Sequence, residues 1–380
     1  MFVKKLKEGV IGAVTMISLL WAGTVSAEWG LNMTPGVTPI SREVYDLHML
    51  ILYIVTAIGI IVFGVMFWSM IHHRKSKGAV AQQFHHNTFA EIAWTIIPVL
   101  ILVAMAIPAT KTLIKMEQTG DAEITVKITG YQWKWKYDYL EEGLSFYSVL
   151  AQDSNEARQR GSGIDPASVE HYLLNVDEPV VLPVGKKVRL LTTAADVIHA
   201  WWVPALGWKR DAIPGFINDN WAVIEEPGTY RGQCAELCGK DHGFMPIVLK
   251  AVPEAEYVAW VEEKKAEAEA RAASSDKEYS MEELMANGED LYNKNCAACH
   301  MANGQGVPGT FPSLIESQLT TTPEGLAEHI NRIINGKGLM PAFGEQLSDA
   351  DIAAVVTYER NAWGIDTGDI VQPADIKAAR

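Results

Sequence analysis

Two long apolar segments dominate the N-terminal part of the chain. The segments 49–71 and 92–110 contain no charged residue. Because a helix rises about 1.5 Å per residue, about 20 residues are needed to cross the hydrocarbon core of a bilayer. The first segment exceeds that length and the second nearly reaches it. The pattern predicts a transmembrane hairpin with helices at about 47–71 and 90–112; buried core helices are the alternative.

The polar flanks of these segments predict how the chain lies in the membrane. The loop between them is basic at 72–77 and contains no acid before Glu91, which places it in the cytoplasm by the positive-inside rule. A shorter apolar stretch at 11–22 follows a lysine-rich start and precedes a small-residue cleavage sequence. This predicts a signal peptide over 1–27, with an uncleaved anchor as the alternative. The N-terminal segment and hairpin then occupy 28–115.

The periodicity of the remaining, exported part predicts two domains. Residues 116–253 contain short runs, such as 124–129 and 188–193, that alternate apolar and polar residues as half-buried strands do. They predict a β-sandwich or small barrel, in which the polar segment 151–168 is an inserted surface loop. The later segments are predicted to be a solvated helical linker (254–280), a small all-α domain (281–365) and a polar, frayed tail (366–380).

Charge and cysteine content limit the partners and cofactors that can be expected. The formal net charge of −14 is carried mainly by the exported part, so no nucleic acid is expected as a partner. An acidic surface attracts basic proteins, although it also serves solubility. The four cysteines form two motif-like pairs, which leaves none for the disulfides that exported proteins usually contain. Both pairs are therefore candidate cofactor sites.

The first pair, Cys234 and Cys238, lies in a loop that contains further metal-binding side chains. The other candidate ligands are His199, His242, Met245 and the main-chain oxygen of Glu236. Thiolates, a thioether and imidazoles select copper or zinc over magnesium or calcium. A zinc site of two Cys and two His is the alternative, but it would leave Met245 without a role. Two thiolates can bridge two copper ions, with one histidine and one weaker contact on each ion.

The second pair forms Cys296-Ala-Ala-Cys299-His300, the attachment signature of c-type haem. The thiols would form thioethers with the haem and His300 would coordinate its iron. A thioredoxin-like redox pair is the alternative, which the adjacent histidine and the missing βαβ pattern disfavour. Met340 is the candidate second axial ligand, because thioether ligation raises the potential of an electron-transfer haem; a core methionine is the alternative. Residues 284–363 resemble a small class I cytochrome c.

The region from about 40 to 255 resembles subunit II of the haem–copper cytochrome c oxidases. The matching stretches are Cys-x-Glu-x-Cys-x-x-x-His-x-x-Met, Glu91-Ile-Ala-Trp-Thr-Ile-Ile-Pro, Tyr131-Gln-Trp-Lys-Trp, Asp196-Val-Ile-His and Lys209-Arg-Asp-Ala-Ile-Pro-Gly. The resemblance implies a cupredoxin-like fold for the β-domain. It also implies a binuclear CuA centre whose ligands are His199, Cys234, the main-chain oxygen of Glu236, Cys238, His242 and Met245.

Three further roles follow from the same resemblance. The Glu236 side chain corresponds to a ligand of a magnesium ion shared with subunit I. Trp133 corresponds to the surface aromatic that receives electrons from cytochrome c, and Glu91 to the carboxylate at the cytoplasmic mouth of a proton path. A core role for Trp133 and a helix-start role for Glu91 are the alternatives. The family's acidic pair before the first ligand histidine is reduced to Asp196, with Ala195 at the other position.

The predicted architecture is a multidomain membrane protein with a two-helix hairpin, a cupredoxin-like β-sandwich or barrel and an all-α cytochrome c domain. The resemblance implies subunit II of an aa3-type cytochrome c oxidase. An external donor, such as a c-type cytochrome or the bc1 complex, would reduce the haem. Electrons would pass through CuA to subunit I, where oxygen is reduced to water with proton pumping.

Subunits I and III are the expected partners, in a bacterial inner membrane with the soluble domains on the periplasmic face. No oxygen-reducing site is expected in this chain, because two helices and one low-spin haem cannot build one. Two alternatives remain for the function. One is the electron-input subunit of a CuA-containing nitric oxide reductase, and the other is a stand-alone, membrane-anchored electron carrier.

Overall fold

The computed structural model describes residues 32–80, 83, 85–159, 161–273, 277–338, 340–344 and 346–380. The predicted signal peptide lies outside the described residues. Two long helices, a β-domain and a helical C-terminal domain follow one another along the chain. The predicted fold class is therefore confirmed.

The two apolar segments form helices α1 (Pro39–His72) and α2 (Thr88–Met116). Each begins at a polar cap: the Thr38 hydroxyl accepts a first-turn amide at 2.9 Å, and the Asn87 side chain does so at 3.0 Å. These caps satisfy amides that the start of a helix leaves unpaired. Both helices extend beyond the predicted limits. Both have the length and composition of membrane spans, and the most apolar stretch of each is not buried by the described chain.

Short strands form the framework of the β-domain. Within the described residues they are β1 (Ile124–Tyr131), β2 (Lys134–Tyr139), β3 (Leu144–Ser148), β4 (Val180–Pro183), β5 (Lys187–Ala194), β6 (His199–Trp202), β7 (Lys209–Ala212), β8 (Asn218–Val223), β9 (Gly228–Cys234) and β10 (Pro246–Val252). They form two five-stranded sheets, ordered β3-β2-β1-β5-β8 and β4-β10-β9-β6-β7. Alternate residues of β5 are buried, and the core includes Trp135, Tyr137 and Trp201. This packing matches the predicted sandwich.

The inserted segment at 151–168 is more ordered than a surface loop. It contains helix α3 (Gln152–Ala157), in which Ser154 is buried. The side chain of Asn155 donates to the main-chain oxygen of Asn293 at 3.2 Å. The segment therefore contacts the C-terminal domain, a long-range contact that its local polarity does not indicate.

The rest of the chain is helical. Within the described residues it contains α4 (Glu254–Ala273), α5 (Met281–Asn295), α6 (Ala297–His300), α7 (Gln318–Thr321), α8 (Leu326–Asn335), α9 (Asp349–Asn361) and α10 (Pro373–Ala379). The linker helix α4 is not fully solvated as predicted, because Tyr257 and Val261 are buried in the core of the β-domain. Its first half therefore belongs to that domain.

The prediction of a frayed C-terminal tail is wrong. Residues Pro373–Ala379 form α10, and Val371 and Ile376 are buried in the core that α9 also contributes to. Arg380 forms an ion pair with Asp349 at 2.5 Å. Two apolar residues are enough to anchor a short polar segment on an existing core, but they are too few to produce a recognisable period in the sequence.

Candidate copper and haem sites

Three neighbouring strands position the candidate copper ligands. His199 begins β6 and Cys234 ends β9, and these strands are antiparallel neighbours, with Trp201 opposite Cys234. The loop that follows Cys234 returns into β10, where Pro246 lies opposite Gln233. Because both ends of the loop are paired in the sheet, the ligands in the loop are held next to His199.

All the ligand atoms predicted for the first site lie together. Its centre is the pair of sulfurs of Cys234 and Cys238, which are 3.9 Å apart. The neighbouring donors are His199 Nδ1 at 3.9 Å and the Glu236 main-chain oxygen at 3.4 Å from Cys234, and His242 Nδ1 and Met245 Sδ, both at 3.5 Å, from Cys238. Each sulfur therefore has one imidazole and one weaker donor beside it.

The two thiols are strongly coupled. Hydrogen bonding between them lowers the pKa of Cys234 to about 3 and raises the pKa of Cys238 above its ordinary value, so the pair titrates as a unit. Burial lowers the pKa of His199, but its hydrogen bond to the Asp196 carboxylate and its contact with Cys234 outweigh this effect, and the net pKa is raised. A thiolate is thus favoured at Cys234, and a thiolate is the form that binds a metal.

This donor set fits copper. Two sulfurs bonded to one metal at about 2.3 Å each lie at most about 4.6 Å apart, and the observed 3.9 Å satisfies that limit. The ligand atoms of His199, Cys234 and Cys238 lie within 4.8 Å of one another, and all three residues are buried. Met245 is only 1% exposed, so a buried thioether faces the site. A zinc site would not use it, whereas copper accepts soft thioether ligands.

A large cavity contains the second motif. Its volume is about 1280 Å³, and Cys296, Cys299, His300 and Met340 all line it. Small-molecule sites commonly measure about 300–1,000 Å³, so the cavity is large enough for a macrocyclic cofactor. Cys296 adjoins the short helix α6, which contains Cys299 and His300. One helical turn therefore presents both thiols and the imidazole, which fits a covalently attached haem.

The two candidate axial ligands are held by main-chain contacts. His300 Nδ1 lies 3.0 Å from the Pro312 oxygen. If Nδ1 carries the proton, it donates to this oxygen and Nε2 is free to bind a metal. Met340 packs against the core of the C-terminal domain and pairs with Lys337 in an isolated β-bridge. The bridge fixes the backbone of the loop that contains Met340.

Trp133 lies between the two sites. Its indole nitrogen donates to the Cys238 main-chain oxygen at 3.3 Å, and the Gln132 side chain donates to the same oxygen at 2.8 Å. Trp133 packs against the core of the β-domain and also lines the cavity that contains Cys296 and Cys299, which we call the haem cavity after its candidate ligand. It therefore contacts both the cavity and the loop 235–245, which we call the copper loop after its candidate ligands; a purely internal core residue would not do so.

The structure gives less information about the roles of the Glu91 and Glu236 side chains than about the other candidate residues. The Glu91 carboxylate accepts the Asn87 amide at 3.2 Å, in the first turn of α2 where an acid is favoured by the helix dipole. This is a capping contact. Glu236 is exposed. The roles in a proton path and in magnesium binding stay predictions, which rest on the sequence resemblance.

Sequence reasoning missed the residues that connect the two sites. Lys240 lies in the copper loop and donates to the main-chain oxygen of Ala298, within the haem motif, at 3.0 Å. Lys134 hydrogen-bonds to the Gln346 side chain of the C-terminal domain. Both lysines lie within recognised motifs, but their hydrogen-bond partners are distant in sequence and no local pattern indicates them.

Comparison with known families agrees with this geometry. The family model described as "Cytochrome C oxidase subunit II, periplasmic domain" matches residues 124–252, and "Cytochrome C oxidase subunit II, transmembrane domain" matches 26–112. A third model, "Cytochrome C oxidase, cbb3-type, subunit III", matches 283–358. These matches cover the hairpin, the β-domain and the C-terminal domain in turn.

Several individual proteins are similar. The probable cytochrome c oxidase subunit 2 of Rickettsia bellii (strain RML369-C) is 38% identical over 256 residues, which cover 67% of this chain and 91% of that protein. Cytochrome c oxidase subunit 2 of Cereibacter sphaeroides is 37% identical over 242 residues, covering 62% of this chain and 80% of the relative.

Among solved structures, the periplasmic domain of subunit II of cytochrome oxidase (CoxB) of Bradyrhizobium japonicum is 42% identical. The match covers 40% of this chain and 99% of the solved chain, with a TM-score of 0.34. The matches to the subunit II models and to relatives covered over most of their length agree on one assignment. The chain belongs to the cytochrome c oxidase subunit II family and carries a cytochrome c domain after its copper domain.

Proposed function

We propose that this chain is the electron-input subunit of an aa3-type cytochrome c oxidase. An external donor reduces a c-type haem in the C-terminal domain. The electron then reaches a binuclear CuA centre and subunit I, where oxygen is reduced to water with proton pumping. One observation carries the proposal: the haem motif and the copper loop meet, with Lys240 of the loop bonded to Ala298 between the two haem-attachment cysteines.

The residues of the copper domain would hold the metal in a fixed, dry site. The copper would be held by the side chains of His199, Cys234, Cys238, His242 and Met245 and by the main-chain oxygen of Glu236. A bound copper pair would accept and release one electron with little change in geometry. His199, Cys234, Cys238 and Met245 are buried, which limits the access of water. The contact between His199 and Asp196 at 2.9 Å keeps the imidazole oriented.

The residues of the C-terminal domain would hold the haem. Cys296 and Cys299 would attach it through thioethers, His300 and Met340 would bind its iron, and the haem would supply one-electron chemistry. Trp133 is proposed as the aromatic that connects this site with the copper loop, because it contacts Cys238 and lines the haem cavity. By family likeness, Glu91 is proposed at the mouth of a proton path and the Glu236 carboxylate at a magnesium ion shared with subunit I.

The proposed setting is a bacterial inner membrane, with both soluble domains on the periplasmic face. Subunit I is the partner that membership of the family implies, and subunit III is proposed as a further one. A c-type cytochrome or the bc1 complex is the proposed donor. The chain is then the electron-transfer subunit of an oxidoreductase, and the oxygen chemistry belongs to subunit I.

The proposal is tested on the protein purified from membranes with its partner subunits. We expect about two copper ions and one covalently bound haem per chain. The copper should show a near-infrared mixed-valence band and a multi-line electron paramagnetic resonance spectrum. One zinc ion and no copper would refute the copper assignment. The reduced complex should consume oxygen; consumption of nitric oxide alone would identify a nitric oxide reductase.

A further inference from the structure

The wall of the haem cavity is built by both soluble domains. The C-terminal domain contributes Cys296 and Met340, and the copper domain contributes Trp133, Lys134 and Lys240. A charge on the copper domain can therefore act on a group that is bound in the other domain. Two lysines are the obvious candidates, and their surroundings differ.

Lys134 is a buried amine with neutral partners. It is 6% exposed, and its Nζ donates to the Gln346 side-chain oxygen. The same nitrogen lies 4.8 Å from the ring centre of Phe343 and 4.9 Å from that of Tyr147. In the part of the chain that the structure describes, no carboxylate forms an ion pair with Lys134. Its positive charge is therefore not cancelled by a direct partner.

The amine stays charged in spite of its burial. Burial lowers the pKa of Lys134 to about 8, while attraction to Asp177 and Asp196 favours the charged amine. At neutral pH most of the amines are protonated. A buried ammonium without a counter-charge costs free energy, and an apolar residue would avoid that cost. Costs of this kind are concentrated at functional sites.

Other contacts keep Lys134 against the cavity. Lys240 donates to the Ala298 oxygen at 3.0 Å, and its amine lies 5.0 Å from the Phe311 ring centre. Asn155 of the inserted segment donates to the Asn293 oxygen at 3.2 Å. Ala298 and Asn293 belong to the haem-attachment turn and the helix before it. The copper domain therefore contacts the C-terminal domain on both sides of Cys296, at Asn293 and at Ala298.

We propose that Lys134 of the copper domain sets the reduction potential of the haem in the cytochrome c domain. This inference rests on the proposed function, because it requires a haem on Cys296 and Cys299. A fixed positive charge stabilises the redox state that carries one more electron, so the ammonium raises the potential of the haem. One electron is exchanged with the donor and no bond forms or breaks. The adjustment operates only while the two domains are in contact.

The test is a redox titration of full-length variants purified with their partner subunits. Lys134→Met removes the charge and keeps an unbranched side chain. We expect the haem midpoint potential, followed by the haem absorbance, to shift to lower values. Lys134→Arg keeps the charge and should restore most of the wild-type potential. The matched control is Lys136→Met on the same strand, because the Lys136 amine is paired with Asp138 at 3.3 Å; its potential should not change.

Covalent haem and copper are quantified in the same samples. If the wild-type protein carries no covalent haem, the proposed function itself fails. If haem is bound and Lys134→Met titrates at the wild-type potential, the role of Lys134 is refuted while the proposed function stands. Lys134→Gln repeats the test with a neutral side chain that can still bond to Gln346, in case the methionine variant does not assemble.

Discussion

Asp196 links His199, a proposed copper ligand, to the turn before β2. Its carboxylate lies 2.9 Å from His199 Nε2 and accepts the Gln132 amide at 2.7 Å. His199 is 0% exposed, so this contact decides the orientation of its ring. A carboxylate behind a ligand histidine fixes the tautomer and leaves the other nitrogen, here Nδ1 beside Cys234, to bind the metal.

Replacing Asp196 therefore tests the copper site at the scale of one residue. Asp196→Asn should weaken copper binding about 10–100-fold, the usual effect of losing a carboxylate behind a ligand histidine. The measurement is competition for copper against a chelator of known affinity. Asp211→Asn, at an exposed position of β7, is the control and should bind like the wild type. Unchanged copper affinity in Asp196→Asn would show that His199 does not need this contact, or is not a ligand.

At the scale of elements, the cytochrome c domain depends on the crossing of α5 and α9. Gly288 of α5 is buried at this crossing. A β-carbon added there would overlap the main-chain oxygen of Ala354 and come within 2.6 Å of Tyr358 Cβ. Backbone atoms cannot move aside as a flexible side chain can, so the helices would have to separate. The glycine thus sets the distance between the two helices.

A methyl group at this crossing should destabilise the cytochrome c domain. We expect Gly288→Ala to lower its free energy of unfolding by about 1–3 kcal/mol, the typical cost of overpacking. Unfolding can be followed through the haem absorbance during a denaturant titration. Asn287→Ala, exposed on the same helix, provides the comparison, because it adds no contact at the crossing. Equal stability of the two variants would mean that the helices do not pack through Gly288.

At the scale of the whole molecule, the two cofactor motifs lie in separate cores. The copper cysteines belong to the hydrophobic core of the β-domain, whereas Cys296 packs against the cores of the C-terminal domain. The domains meet through polar contacts, such as that of Lys240 with Ala298. Each site should therefore form without the other.

Serine substitutions test this independence. Cys296→Ser should impair covalent haem attachment and leave the copper spectrum unchanged, because no copper ligand contacts its thiol. Cys234→Ser should have the reverse effect. Haem stain after denaturing electrophoresis and the near-infrared copper band are the two measurements. Loss of copper in Cys296→Ser would contradict separate assembly of the sites.

The sequence predicted well those features that depend on local spacing. The haem motif places two thiols and a histidine on one turn, and five of the six proposed copper ligand groups lie within residues 234–245. The membrane helices could be predicted equally well, because an uncharged apolar run indicates a membrane span without any distant partner. His199 is far from the loop in sequence: its residue type made it a candidate ligand, and the family resemblance placed it in the ligand set. Periodicity underestimated the lengths of both helices, because α1 and α2 include polar residues that flank the apolar runs.

By itself, then, the sequence determined the hairpin, the two classes of domain and the two cofactor motifs. Only the tertiary structure decided that the copper loop meets the haem-attachment turn, that Lys134 is buried at the haem cavity and that the C-terminal tail folds onto α9. The physical reason is the range of the interactions. The chemistry of one turn or loop depends on residues that are neighbours in sequence. Burial and inter-domain contacts depend on residues that only folding brings together.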